Sequence, residues 1–163
     1  MTIPYPGKTS SATHFVTAGT WCKTNILQSD RMAQLFCNTL CQYRAAGKFR
    51  LHAFVVMPNH IHLLLTVPEG VTLERAIQFI KGGFSYQCGK LLGVHSAIWQ
   101  KSFLDRRVRD ADEYARYREY IHQNAVRAGL VSAAEEYTYS SLNPKFQIDE
   151  LPQRLKPALQ AII

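Results

Sequence analysis

Residues 51–67 read LHAFVVMPNHIHLLLTV, two apolar runs separated by Met57-Pro58-Asn59-His60. Pro presets φ and Asn tolerates the left-handed region, so Pro-Asn between apolar runs marks a turn. The stretch predicts an antiparallel hairpin with strands near 51–57 and 60–67. Side chains alternate along a strand, so His60, His62 and Leu64 share one face while Ile61, Leu63 and Leu65 share the other. The aliphatic face belongs in a core. Two imidazoles ~7 Å apart at Cα, from the strand rise, converge on a metal ion only if a third group meets them. On spacing alone, the pair also fits the polar outer face of a half-buried strand.

A third group and a nucleophile have to come from the rest of the chain. At 163 residues it is sized for one domain with a sizeable core, and 47% hydrophobic with 19% charged residues is ordinary for a folded protein. Nineteen Lys and Arg against twelve Asp and Glu give a net charge of +7 and a pI near 9.4. That balance favours an anionic partner, of which nucleic acid is the commonest. Cys22, Cys37, Cys41 and Cys88 show neither CxxC nor disulfide-framework spacing, and read as reduced thiols. The opening MTIPYPGKTSSATHF has no charged-then-apolar signal pattern, and no apolar run approaches a membrane span, so a cytoplasmic, nucleoid-associated protein is expected.

Residues 1–12 read as a loose lead-in, 13–142 as the folded domain and 143–163 as a tail. THFVTAGT, residues 13–20, predicts a first strand. Ser29 or Asp30 caps a helix with Met32, Leu35, Phe36, Thr39, Leu40 and Tyr43 on one side, closed by Gly47. Thr72 opens a second helix, carrying Leu73, Ala76, Ile77, Ile80 and Phe84 inward. Lys81 lies on or beside this helix near Gly82-Gly83, where the chain can approach a partner closely, and 87–98 reads as loop. WQKSFLDRRVRD, residues 99–110, sets Lys101, Arg106, Arg107 and Arg109 among Trp99 and Phe103. That mixture suits phosphates and unpaired bases, and equally a solvated turn with a buried Trp. Asp110 and Glu113 open a third helix by a capping box, and it ends at Gly129. YTYSSL then suggests a fifth strand, and the Pro-containing tail a short final helix.

On the third helix Tyr120 and Asn124 stand four residues apart, ~40° around and ~6 Å along the axis. An amide oxygen suits Mg²⁺ or Mn²⁺, and Mn²⁺ also accepts imidazole. If this helix packs on the histidine face, His60, His62 and Asn124 make a three-ligand site with Tyr120 beside it. A phenol is a poor nucleophile at neutral pH, and a cation on the phosphate would help it. Spacing alone does not choose Tyr120 over Tyr114, Tyr117, Tyr137 or Tyr139. His52 and His14 read as structural, and His122 points away from Tyr120.

HAFVVMPNHIHLLL at residues 52–65 and YIHQNAVRAGLV at 120–131 together resemble the single-tyrosine HUH-type transposases of small bacterial insertion sequences. Within these, the chain looks most like the REP-associated tyrosine transposases. The resemblance implies an α+β fold, a ferredoxin-like or RRM-like single domain whose antiparallel sheet of four to five strands has helices packed on one face. It implies His60, His62 and Asn124 as ligands of Mg²⁺ or Mn²⁺, and Tyr120 as nucleophile. The implied activity is cleavage and rejoining of single-stranded DNA beside imperfect hairpins, through a 5′-phosphotyrosine and without ATP. Lys81, Lys101, Arg106, Arg107 and Arg109 are then the expected DNA contacts. Ala125 departs from the Pro found in many relatives, which alters local backbone rather than the ligand. Relatives occur as homodimers and as monomers. Two other readings stay open: a catalytically silent hairpin-binding derivative, and a phosphodiesterase that uses water.

Overall fold

The computed structural model describes residues 11–156. Its elements run β1 (Ala12–Gly19), α1 (Asp30–Ala45), β2 (Arg50–Met57), β3 (His60–Val67), α2 (Leu73–Leu92), β4 (Leu104–Arg107) and α3 (Ala111–Arg127). The strands form one antiparallel sheet in the order β2-β3-β1-β4. This is two interlocked split βαβ units, the ferredoxin-like arrangement, with α3 added at the end.

The hairpin forms where the sequence places it, Met57 pairing with His60 across Pro58-Asn59. Asn59 does not take the left-handed backbone that was expected to favour it. Its carboxamide instead accepts from His60 Nδ1 at 2.7 Å. The turn is tied down from outside: Thr20 N–H donates to Asn59 O and Leu27 N–H to Pro58 O, both at 3.0 Å.

Alternation on β3 then builds two cores. Ile61, Leu63, Leu65 and Val67 join Val16, Phe54, Phe36, Ile80 and Phe84 in a cluster that α1 and α2 cover. Leu64, Ala53, Val55 and Met57 meet Tyr114, Ile121 and Ala125 of α3 on the opposite side. The expectation of helices on one face therefore holds for the two βαβ helices. The third covers the other face, because its own apolar stripe needs the residues that β2 and β3 leave there.

Several boundaries differ from the sequence expectation. α2 continues through Gly82-Gly83 to Leu92 and caps on the left-handed Gly93, so much of 87–98 is helix. Gly83 does not open the chain to a partner; a Cβ there would collide with the Tyr43 ring of α1. β4, with its charged LDRR sequence, escaped the strand pattern because three of its four residues are exposed. Residues 137–142 form no strand. Instead they cover the open edge of β2: Val56 N–H donates to Tyr139 O and Ser141 N–H to Phe54 O, both at 2.9 Å, around a single Val55–Ser140 bridge. β1 starts one residue inside the expected lead-in, whose residues 1–10 lie outside the described residues, as do 157–163, where the final helix was expected to end.

The stretch after Asn143 packs onto the domain. Phe146 is buried in the larger core, and the Asp149 carboxylate accepts from Arg44 in bidentate fashion and from Leu51 N–H at 2.8 Å. Asp149→Ala leaves that guanidinium and a buried strand N–H without an acceptor. The expected loss is about 1–3 kcal/mol of unfolding free energy, read by urea denaturation; an unchanged midpoint would show the latch to be idle.

Candidate active site

The site is assembled on the face that α3 shares with the two central strands. β3 contributes His60 and His62, and the adjacent β1 contributes Phe15 and Thr17; Thr17 pairs with His62 across the ladder. α3 crosses this face because Ile121 and Ala125 bury against the sheet. Helical spacing then sets Tyr120 and Asn124 over the histidines.

The imidazole rings of His60 and His62 lie edge to face with centroids 4.8 Å apart. Tyr120 meets His62 in the same way at 5.4 Å. Phe15 is the floor of the cluster. It stacks on Tyr117 at 4.6 Å and on His62 at 5.4 Å, and touches Tyr120 with its edge at 5.8 Å. The phenol and both histidines meet within one chain.

The five tyrosines that spacing could not separate have different employments. Tyr114 is buried against His52. Tyr137 donates its hydroxyl to Val56 O and Tyr139 to Asp30 Oδ1, each at 2.5 Å. Tyr117 lies flat on Phe15. Tyr120 is 40% exposed, and its hydroxyl has no hydrogen bond among the described residues.

Each histidine is fixed through Nδ1. His60 Nδ1 donates to Asn59 Oδ1, and His62 Nδ1 lies 2.8 Å from Thr17 Oγ1. The arrangement orients both rings and leaves Nε2 of each as the nitrogen available to a ligand. Burial holds both below the usual histidine range. For His62 the neighbouring His60 and Arg127 add to this and take it to about 3, whereas the Asn124 side chain partly opposes the shift at His60. Both imidazoles are therefore neutral at physiological pH, the form that binds metal. Asn124 is buried beside them.

No group of three or more His, Cys, Asp or Glu suited to a metal occurs among the described residues. A cation here would be held by two imidazoles and an amide, all neutral. The amide oxygen suits either Mg²⁺ or Mn²⁺ and the two imidazoles suit Mn²⁺ better, and a neutral set would leave the ion's charge for an anionic substrate.

Neutral buried histidines make stability depend on pH. His52 is buried with Nε2 2.7 Å from Thr66 Oγ1 and Nδ1 3.1 Å from Asp149 O, and burial lowers its pKa as it does that of His62. The unfolded chain takes up protons near pH 6.5 that the folded chain refuses. Stability is thus fully present above that value and is lost as pH falls below it. His62 is expected to remove about 1 kcal/mol over the first pH unit below 6.5, and His52 adds a loss of the same sign. Urea midpoints at pH 7.5 and 5.5 measure this, and equal midpoints would contradict it.

The expected basic contacts are scattered. Arg106 pairs with Phe15 across the β1–β4 ladder. It borders, with Phe15, Thr17, Leu104 and Asp105, a recess of about 240 Å³ next to the histidines. Lys101 is exposed at the loop before β4. Arg107 lies on the other face by register, opposite His14. Arg109 pairs with Glu113 at 3.3 Å. Lys81 is part-buried and donates to Gln100 O at 2.6 Å, a structural tie on the far side of the sheet. Trp99 is half-buried and packs on Phe36 and Phe84 at the edge of the larger core. His14 faces Asp105 at 3.3 Å and His122 faces Ser141 at 3.3 Å, both off the site.

Phe15, Thr17 and Arg127 join the site without having been singled out. Thr17 and Phe15 could be found only through the β1–β3 register. Arg127 had a visible signal: Tyr120, Asn124 and Arg127 follow i, i+4, i+7 along one helix face.

A family model described as "Transposase IS200 like" matches residues 8–124, a span that contains His60, His62, Tyr120 and Asn124. A REP-associated tyrosine transposase of Escherichia coli (strain K12) is 26% identical over 137 residues, with 80% of each chain covered. A relative from Haemophilus influenzae is 28% identical over 156 residues, covering 85% of this chain and 88% of its own. Among solved structures, that of a REP-associated tyrosine transposase bound to a REP hairpin superposes with a TM-score of 0.69. It is 22% identical, with 98% of this chain and 96% of the other covered, and it corroborates the fold. No helix among the described residues is long and apolar enough to cross a membrane.

Proposed function

Given that the chain belongs to the IS200-like transposase family, we propose that it cleaves and rejoins single-stranded DNA at hairpin-flanked sites through a covalent phosphotyrosine. The observation that carries this reading is the Tyr120 ring 5.4 Å from the His62 ring in the same chain, with its hydroxyl uncommitted. Tyr120 Oη attacks the scissile phosphorus, giving a 5′-phosphotyrosine and a free 3′-hydroxyl. The phosphodiester bond energy is conserved, so a second 3′-hydroxyl can reverse the step without ATP.

His60, His62 and Asn124 would hold Mg²⁺ or Mn²⁺. When bound, that ion supplies positive charge at the phosphate. The protein's own share is orientation. Phe15, backed by Tyr117, supports the phenol from below, and Thr17 and Asn59 fix the imidazoles. Arg106 and Lys101 supply positive charge along the β4 side, where the strand leading away from the site would run. An imperfect DNA hairpin is the partner proposed, by likeness to the hairpin-bound relative.

The test uses labelled single-stranded oligonucleotides that carry a hairpin and the flanks of the protein's own gene, with and without divalent ions. A labelled band that survives denaturation and requires Mg²⁺ or Mn²⁺ is expected. Binding with no such band in any divalent ion would favour the catalytically silent reading, and cleavage with no band would favour hydrolysis by water.

A further inference from the structure

We propose that Arg127 is a second catalytic side chain, one that receives the scissile phosphate while holding the nucleophile in place; the proposal rests on the transesterase reading above. Its guanidinium carbon sits 4.0 Å from the centroid of the Tyr120 ring, close for a cation–π contact. One of its nitrogens donates to Tyr120 O at 3.1 Å, reaching back along the helix. The side chain is therefore pinned at both the backbone and the ring of the proposed nucleophile.

A purely structural arginine would spend its donors or bury its stem. Arg127 does neither. It is exposed, and of its five N–H donors only the one to Tyr120 O makes a hydrogen bond among the described residues. The Tyr120 ring that it covers lies 5.4 Å from the His62 ring, so the guanidinium sits at the edge of the histidine cluster. Around the phenol there is no acidic group with which it pairs among the described residues: the described ion pairs are those of His14, Arg44 and Arg109. A guanidinium with unspent donors beside a nucleophile and two neutral imidazoles is matched to a phosphodiester anion.

In the step proposed, the Oη–P bond forms as the P–O3′ bond breaks. The phenolic proton passes to water, and the departing 3′ oxygen takes up a proton from water. Arg127 stays protonated throughout and donates to a non-bridging phosphate oxygen, where negative charge is concentrated in the transition state.

The experiment compares wild type with Arg127→Ala and Arg127→Lys in single-turnover adduct formation on a hairpin oligonucleotide. Arg127→Ala is expected to slow attachment about 100-fold while changing the binding constant less than about threefold. Arg127→Lys should recover part of the rate, and added guanidinium ion should rescue Arg127→Ala. A methylphosphonate at the scissile position, which removes the charged oxygen, should shrink the difference between wild type and Arg127→Ala for at least one diastereomer. A variant that attaches DNA at the wild-type rate overturns the proposal. So does a slow variant that guanidinium does not rescue and whose deficit is the same with both methylphosphonates, since that pattern marks a structural role. A wild-type protein that forms no adduct overturns the transesterase reading, and this assignment falls with it.

Discussion

Tyr120→Phe is expected to abolish the denaturant-resistant protein–DNA complex, with attachment falling about 10⁴-fold or more, while hairpin binding is retained. The substitution removes one oxygen and nothing that the fold uses. The ring keeps its edge contacts with Phe15 and His62 and its place under Arg127. The hydroxyl is committed to no hydrogen bond among the described residues, so stability should change by less than about 0.5 kcal/mol. Loss of the adduct cannot then be blamed on unfolding. A Phe variant that still captured DNA would move the nucleophile elsewhere, and Tyr117, the neighbour flattened on Phe15, would be examined first.

The second large effect is expected at His60. His60→Ala removes one of two imidazoles from a set of neutral donors that has no carboxylate to compensate. Several kcal/mol of transition-state stabilisation should go with it, a rate loss of about 10²–10³-fold. The half-buried ring is tied to the turn residue just before it and faces the Asn124 amide, neither of which the fold needs, so the fold should tolerate the change. A diagnostic accompanies the rate: the variant should need a higher Mn²⁺ concentration for half-maximal attachment. An unchanged metal dependence would separate His60 from the metal. His62 is the less clean target, because its ring is buried, stacked on Phe15 and tied to Thr17.

How much of this was legible beforehand follows from where each residue gets its constraint. The hairpin and the third helix were readable because their periodicity is imposed by burial along a single element. Asp110 caps α3 as expected, its side chain accepting from Glu113 N–H at 2.8 Å, and Gly129 closes it with a left-handed backbone. Gly82-Gly83 misled because a glycine pair suggests a place for a partner's close approach. Here Gly83 exists for close helix packing against Tyr43, a contact from 40 residues away that no local pattern carries. β4 was invisible for a similar reason, since an exposed edge strand needs no apolar alternation and its pairing partner lies at the start of the chain.

The site divides in the same way. The HxH pair and the Tyr-Asn pair each sit within one element and show their spacing. What joins them is the choice of sheet face by α3, and that is fixed by the apolar residues of β2, which also carry the hairpin. Phe15 and Thr17 belong to the site only through strand register. Of the five expected basic contacts, Arg106 faces the histidine side by register, whereas Lys81 is committed to the loop on the other side. Charge composition counts lysines and arginines but does not say which face they occupy.

The most direct measurement is to digest the purified protein–DNA adduct and locate the nucleotide remnant by mass spectrometry. A phosphodeoxynucleotide on the peptide containing Tyr120, absent from Tyr120→Phe protein, is the predicted result. A remnant on any other side chain, or DNA cut with no remnant on the protein at all, would contradict the claim that this phenol works over the paired histidines.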